Sequence, residues 1–172
     1  MADLPDVLVR PVRPDDAGAI VGILNPIIRA GIYTVLDTPL TVEEEQEYIL
    51  RFPERGIFHV AEMRGDGRIV GFESMEPFSS DTHAFDHVGV IGTFVDLSEL
   101  RRGIGTRLSE TMFAVARTKG YEKIFTYVRA DNQASLNFHL KLGFRIVGTA
   151  VRQARIGDRY IDEVFIEKFL ST

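Results

Sequence analysis

The stretch Val95-Asp96-Leu97-Ser98-Glu99-Leu100-Arg101-Arg102-Gly103-Ile104-Gly105-Thr106 joins two segments of different period. Before it, Val88–Val95 is an apolar run of strand length. After it, Ile104, Leu108, Met112 and Val115 recur at helical spacing. The whole therefore reads as a strand, a glycine loop and a helix start. Gly103 and Gly105 let the backbone approach a ligand and adopt conformations that a Cβ penalises. The first helical turn carries N–H groups with no partner inside the helix. With the positive end of the helix dipole, these form an anion site. Arg101 and Arg102 add charge beside it, and a pyrophosphate fits the arrangement. Two nucleotide-binding patterns fail here. No Lys-Ser/Thr follows the glycines, and Leu108 stands where a dinucleotide turn wants glycine or alanine. By itself the Gly-x-Gly also fits a plain strand-to-helix turn.

Beyond this helix, which Gly120 stops, Lys123–Arg129 reads as a strand. Residues 134–142 read as a helix stopped by Gly143. In this second segment Asn132, Ser135 and His139 are spaced i, i+3, i+7 and share one face. The last 28 residues read as two strands joined at Gly157-Asp158. Toward the N-terminus, Leu8 to Val12 is a strand. Asp15 and Asp16 open a helix carrying Ile20, Ile23, Leu24 and Ile27, and Pro26 is expected to end or kink it. Thr41-Val42-Glu43-Glu44 is a capping box for a helix reaching about Phe52. Ile57–Met63 and residues 68–76 flank Gly65-Asp66-Gly67 as a hairpin. Residues 77–87 read as a polar loop. The order is mixed α/β: a central β-meander, then β-α-β-α-β, in one domain spanning residues 1–172.

The chain has 172 residues, of which 45% are hydrophobic and 26% charged, as suits one globular domain. It contains no Cys, so disulfides, thiolate metal sites and thiol nucleophiles are excluded. Met1 to Asp6 is acidic and lacks an apolar signal core, and no apolar run approaches the ~18 residues of a membrane span. These features lead us to expect a cytoplasmic protein without a membrane partner. A formal net charge of −5 argues against a broad nucleic-acid surface. His83 and His87, with Asp81 and Asp86, have only an i, i+4 spacing to suggest a metal, and they lie in a loop, so no metal is expected. Gly-x-Ser-x-Gly and His-Glu-x-x-His are both absent.

The glycine loop and the Asn132-to-His139 helix, separated by one helix and one strand, together resemble the GNAT superfamily of acetyl-CoA N-acetyltransferases over nearly the whole chain. The resemblance implies a central, mixed, mostly antiparallel and splayed sheet flanked by helices. It implies a pyrophosphate cradle at Leu100, Arg101, Arg102, Gly103, Ile104, Gly105 and Thr106. It also implies pantetheine contacts at Phe94, Val95 and Asn132, with Ser135 beside the last. Within the superfamily the chain is similar to the phosphinothricin-acetyltransferase-like branch. Asn25-Pro26-Ile27-Ile28, Thr38-Pro39-Leu40-Thr41-Val42-Glu43-Glu44, His139 and the ending Gly157-Asp158-Arg159-Tyr160-Ile161-Asp162-Glu163-Val164 carry that likeness. Two departures stand out: Leu100 replaces the usual Gln or Arg, and Val90 stands where that branch carries a Glu.

The implied reaction is attack of an amine on a thioester. An alkyl amine with a pKa near ~10.4 arrives protonated, so the site must remove a proton. His139 is the foremost acid or base candidate, with Glu73 and then Glu76 as carboxylates that could take the amine proton. Tyr33, Asp37 and Asp162 lie where the branch borders its acceptor. Arg152, Arg155 and Arg159 suit pairing with an acceptor carboxylate. The expected acceptor is a small primary amine such as an amino acid or xenobiotic analogue. A protein N-terminus or lysine, or a non-catalytic acyl-CoA-binding role, are the alternatives. A homodimer is expected through the C-terminal strands, with Ile161, Val164, Phe165, Ile166 and Phe169 as apolar candidates.

Overall fold

A computed structural model describes residues 6–170 of the chain, so the acidic reading of the first five residues lies outside it. Seven strands form one sheet in the order β1-β2-β3-β4-β5-β7-β6. They are β1 (Val7–Pro11), β2 (Ile57–Met63), β3 (Ile69–Pro77), β4 (Val88–Val95), β5 (Lys123–Arg129), β6 (Arg145–Ile156) and β7 (Arg159–Phe169). The β4–β5 pair is parallel and every other pair is antiparallel, giving the mixed, mostly antiparallel sheet expected. Helices α1 (Ala17–Ala30) and α2 (Val42–Leu50) pack on one face, where Ile20, Ile23, Leu24 and Ile27 meet Phe58, Val60 and Phe72. On the other face α3 (Ile104–Thr118) lies against Met75, Ile91 and Ile124 through Met112 and Phe113, and α4 (Gln133–Lys141) adds Leu136.

Three local readings are refined. Asp15 and Asp16 do not begin α1 directly; they belong to a 3-10 turn, Pro14–Asp16. The Asp16 carboxylate accepts from both Nη atoms of Arg10 at 2.8 Å, so it pins the helix entry to β1. Pro26 does not end α1, which continues to Ala30 and stops at left-handed Gly31. A mid-helix proline costs about 3 kcal/mol, and burial of Ile27 and Ile28 at roughly 1.5–3 kcal/mol each offsets it. The 77–87 loop contains a 3-10 turn, His83–Phe85, capped by Thr82. Phe85 packs against Phe78 there with its ring tilted, the centroids 5.0 Å apart. The α2 capping box is present in both directions: Glu44 N–H donates to Thr41 Oγ1, and Thr41 N–H donates to a Glu44 carboxylate oxygen.

The feature that positions the site is a fork in the sheet. β4 and β5 pair only from Val88–Lys123 to Val90–Phe125. Beyond that, β4 pairs with β3 as far as Val95, and β5 pairs with β7 as far as Arg129. At the fork Thr126 Oγ1 donates to the Ile91 carbonyl at 2.8 Å, replacing a ladder bond by a side chain. From residue 91 to 95 the edge of β4 that faces β5 has no strand partner.

Candidate active site

The fork opens into a cleft of about 480 Å³. Gly92, Thr93 and Phe94 on the free edge of β4 form one wall, and Thr126 to Arg129 on β5 form the other. Tyr33 to Leu36 cover it, and Ser135 and His139 of α4 reach in. An unpaired strand edge presents a row of N–H and C=O groups to any extended chain that enters. Phe94 stacks on Phe72 at 5.1 Å, which fixes that edge against the α1 core. Val95 closes the strand opposite Gly71 and packs beside Gly105 rather than lining the cleft.

The glycine loop follows β4 through a 3-10 turn, Leu97–Glu99. Gly103 is left-handed at φ 80° and caps α3, and Arg101 is also left-handed at φ 64°. Among the described residues, the N–H groups of Ile104, Gly105 and Thr106 have no backbone acceptor. They form the open donor set of a helix start. The Ile104 side chain is buried with Leu108 and Val70, so only its backbone is available to a ligand. Gly105 has a packing reason that the sequence did not reveal. A Cβ there would lie 3.1 Å from the Phe138 ring of α4, so the glycine lets the start of α3 approach the body of α4. Arg102 forms an ion pair with buried Glu99, which also accepts from Arg68 at 2.8 Å. Arg68, followed by Arg102, holds the Glu99 carboxyl below its ordinary range. Arg101 and Leu100 are exposed.

Asn132 caps α4: its Oδ1 accepts from Ser135 N–H at 3.1 Å, and its Nδ2 donates to the Tyr33 carbonyl at 3.0 Å. It therefore ties the covering segment to the helix. His139 lies one helical turn below Ser135, between the rings of Phe138 and Phe144. Its Nδ1 is 2.8 Å from the Ser135 carbonyl, which can only accept, so the proton sits on Nδ1 and Nε2 keeps a lone pair. Burial holds the imidazole below its usual range against the opposing pull of that hydrogen bond. The ring is thus neutral at pH 7, with an open acceptor nitrogen.

The carboxylates separate by face. Glu73 is fully buried on the α3 side, accepting from Thr93 Oγ1 at 2.9 Å and Ser109 Oγ at 3.0 Å, and it does not reach the cleft. Burial pushes its carboxyl up to about 8. Glu76, three residues later, faces the opposite way and lines the cleft, where Tyr48 Oη donates to it. Its cross-strand partner is Val90. Glu163 of β7 also lines the cleft, and sequence reasoning did not single it out. The available signal was an acid between Ile161 and Phe165 on one strand face.

Tyr33 lines the cleft, but Asp37 does not; its carboxylate accepts from Thr38 at 3.0 Å on the surface. Asp162 is turned away from the cleft and accepts the Arg152 N–H at 2.6 Å. It thereby holds the bulge in β6 where Arg152 is left-handed at φ 55°. Arg152 and Arg155 lie over the Tyr160 ring, and Arg159 is near Asp131, so none of the three lines the cleft. The arginine that does is Arg129, whose guanidinium already donates to Asp131 twice and to the Gly31 and Thr34 carbonyls. Among the described residues no group of three or more His, Cys, Asp or Glu side chains is arranged to hold a metal ion. No helix there is long and apolar enough to cross a membrane.

The family model for the acetyltransferase (GNAT) family matches residues 28–144. The phosphinothricin N-acetyltransferase of Streptomyces coelicolor is 26% identical over 98% of this chain and 99% of its own length. The L-methionine sulfoximine/L-methionine sulfone acetyltransferase of Pseudomonas aeruginosa is 22% identical over 97% of this chain and 89% of its own. Among solved structures, a phosphinothricin acetyltransferase from Sinorhizobium meliloti in complex with acetyl-CoA superposes with a TM-score of 0.87. It is 18% identical, and the match covers 96% of this chain and 89% of that one.

Proposed function

Because the chain belongs to the acetyltransferase (GNAT) family and is therefore an acetyl-CoA-dependent N-acetyltransferase, we propose that its acceptor is a small-molecule primary amine bound in the forked cleft. The observation that carries this reading is the free edge of β4 running alongside His139, whose Nε2 is an open acceptor. A cleft of about 480 Å³, covered by Tyr33 to Leu36, suits a small ligand, whereas a protein substrate needs an open groove.

The residues present fit acetyl-CoA. The unpaired edge at 91–95 offers hydrogen-bonding groups to an extended pantetheine arm. The free N–H groups of Ile104, Gly105 and Thr106, with exposed Arg101, offer donors and charge to a pyrophosphate. When bound, acetyl-CoA supplies an acyl group activated as a thioester. His139 Nε2 accepts a proton from the attacking amine and returns it to the departing sulfur. A backbone N–H on the free edge of β4 steadies the carbonyl oxygen as it gains charge. Asn132 holds both α4 and the cover in register for these steps. We read the molecule as a cytoplasmic homodimer, in keeping with an intracellular acyl donor and the exposed apolar surface of its C-terminal strands.

The test is free-thiol release from acetyl-CoA across a panel of amines, amino acids and peptides. Turnover of small amines or amino acids at the highest kcat/KM is the expected result. A peptide acetylated a hundredfold better than every small amine overturns the proposal.

A further inference from the structure

The charges around the acceptor side of the cleft lack the partner that an amino-acid acceptor would need. Glu76 on β3 and Glu163 on β7 approach from opposite flanks. No lysine lines the cleft, and the guanidinium of Arg129 is paired with Asp131 and two carbonyls. Glu163 is only 5% exposed and borders the cleft, and no side-chain hydrogen bond or ion pair to it is seen among the described residues, while its oxygens are not among the atoms sealed from water. A buried carboxylate without a partner carries an unfavourable desolvation cost, which an incoming cation relieves. Burial accordingly raises the Glu163 carboxyl above its ordinary range. Glu76, by contrast, is held in place by Tyr48 and stands directly across from Val90.

Building on the acetyltransferase reading, we propose that this cleft selects acceptors with two amines and no carboxylate, such as an alkyl diamine, with Glu76 facing the reacting amine and Glu163 pairing the second ammonium. The first ammonium gives one proton to Glu76, which passes it to solvent. The neutral nitrogen then forms the new C–N bond as the thioester C–S bond breaks. The second proton on that nitrogen leaves through His139 Nε2 to the sulfur. Diamine dication and acetyl-CoA thus become the mono-N-acetylated diamine, still carrying one ammonium, with CoA thiol and one released proton. The second ammonium remains paired with Glu163 throughout.

The experiment compares kcat/KM for 1,4-diaminobutane, n-butylamine and methionine sulfoximine with the wild-type protein. The diamine is expected to exceed both others by at least about tenfold, the scale of one charge-assisted hydrogen bond. Glu163→Gln is expected to narrow the diamine preference over butylamine to below about threefold, chiefly through KM. Methionine sulfoximine used tenfold better than the diamine overturns the proposal and leaves the acetyltransferase reading standing. Equal use of diamine and butylamine by the wild type also overturns it, and needs no variant to fold. Acetyl-CoA binding in calorimetry is a separate readout; its absence in the wild type would count against the acetyltransferase reading itself.

Discussion

Glu73 and Glu76 differ by three positions on one strand, so alternation alone puts them on opposite faces. It does not say which face borders the cleft, because that depends on where β5 departs from β4, a tertiary fact. The structure gives Glu73 the α3 side, where its neutral form is favoured. The folded protein keeps a proton that the unfolded chain releases above about 4.5, so Glu73 makes stability fall as pH rises from 4.5 toward about 8. The slope is at most ~1.4 kcal/mol per pH unit. Glu73→Gln keeps the shape and is expected to flatten melting temperature against pH across that window. Parallel curves for variant and parent would show that another group is responsible. His139 titrates with the opposite consequence for activity. Its pKa lies below the ordinary 6.5, so the neutral base persists to more acidic pH than for a free imidazole. His139→Ala should lower kcat by about 10²–10⁴-fold, abolish the acid limb of the pH profile and leave acetyl-CoA affinity nearly unchanged. A loss below threefold would remove His139 from the chemistry.

At the level of elements, strands β4 and β5 and the capping box of α2 were legible because local pattern and tertiary environment agree there. Three features were not. Pro26 survives inside α1 because buried isoleucines on either side hold the helix together. Arg152 adopts a left-handed bulge because Asp162, ten residues away in sequence, accepts its N–H. Gly105 is small for Phe138 as well as for a ligand. No pattern within a single element encodes such partners. The glycine loop itself was legible, and its role is testable. Gly103→Asp places a Cβ on a residue at φ 80° and a carboxylate beside the open N–H groups of α3. Acetyl-CoA affinity is expected to drop by at least about tenfold from the lost anion site. Circular dichroism would establish that the variant is folded. A folded variant that binds CoA as tightly as the parent would place the pyrophosphate elsewhere.

Across the whole molecule, the C-terminal strands were expected to supply an interface, but the structure redistributes which residues are free to do so. Ile161, Val164 and Ile166 are buried in the domain itself, because β7 runs between β5 and β6. Phe169 of the expected set is exposed, and it is joined by Ile146, Val147, Val151 and Tyr160. Sequence pattern could not separate the two sets, since both alternate as strands do and only the strand order assigns one to the core. β6 is the outermost strand, so its outer edge leaves backbone groups unpaired, a state that soluble proteins normally cover or blunt. Val151 is 72% exposed and lies in the bulged segment, where a packing partner would remove it from water. An apolar surface on an unpaired edge favours association, and a second copy of the chain would satisfy both the edge and the side chains. Light scattering at micromolar concentration is therefore expected to give twice the chain mass. Val151→Glu should shift the population toward monomer by putting an unpaired charge into the contact, with little effect on the melting temperature of the isolated fold. A wild-type protein that is monomeric at this concentration would contradict the assignment.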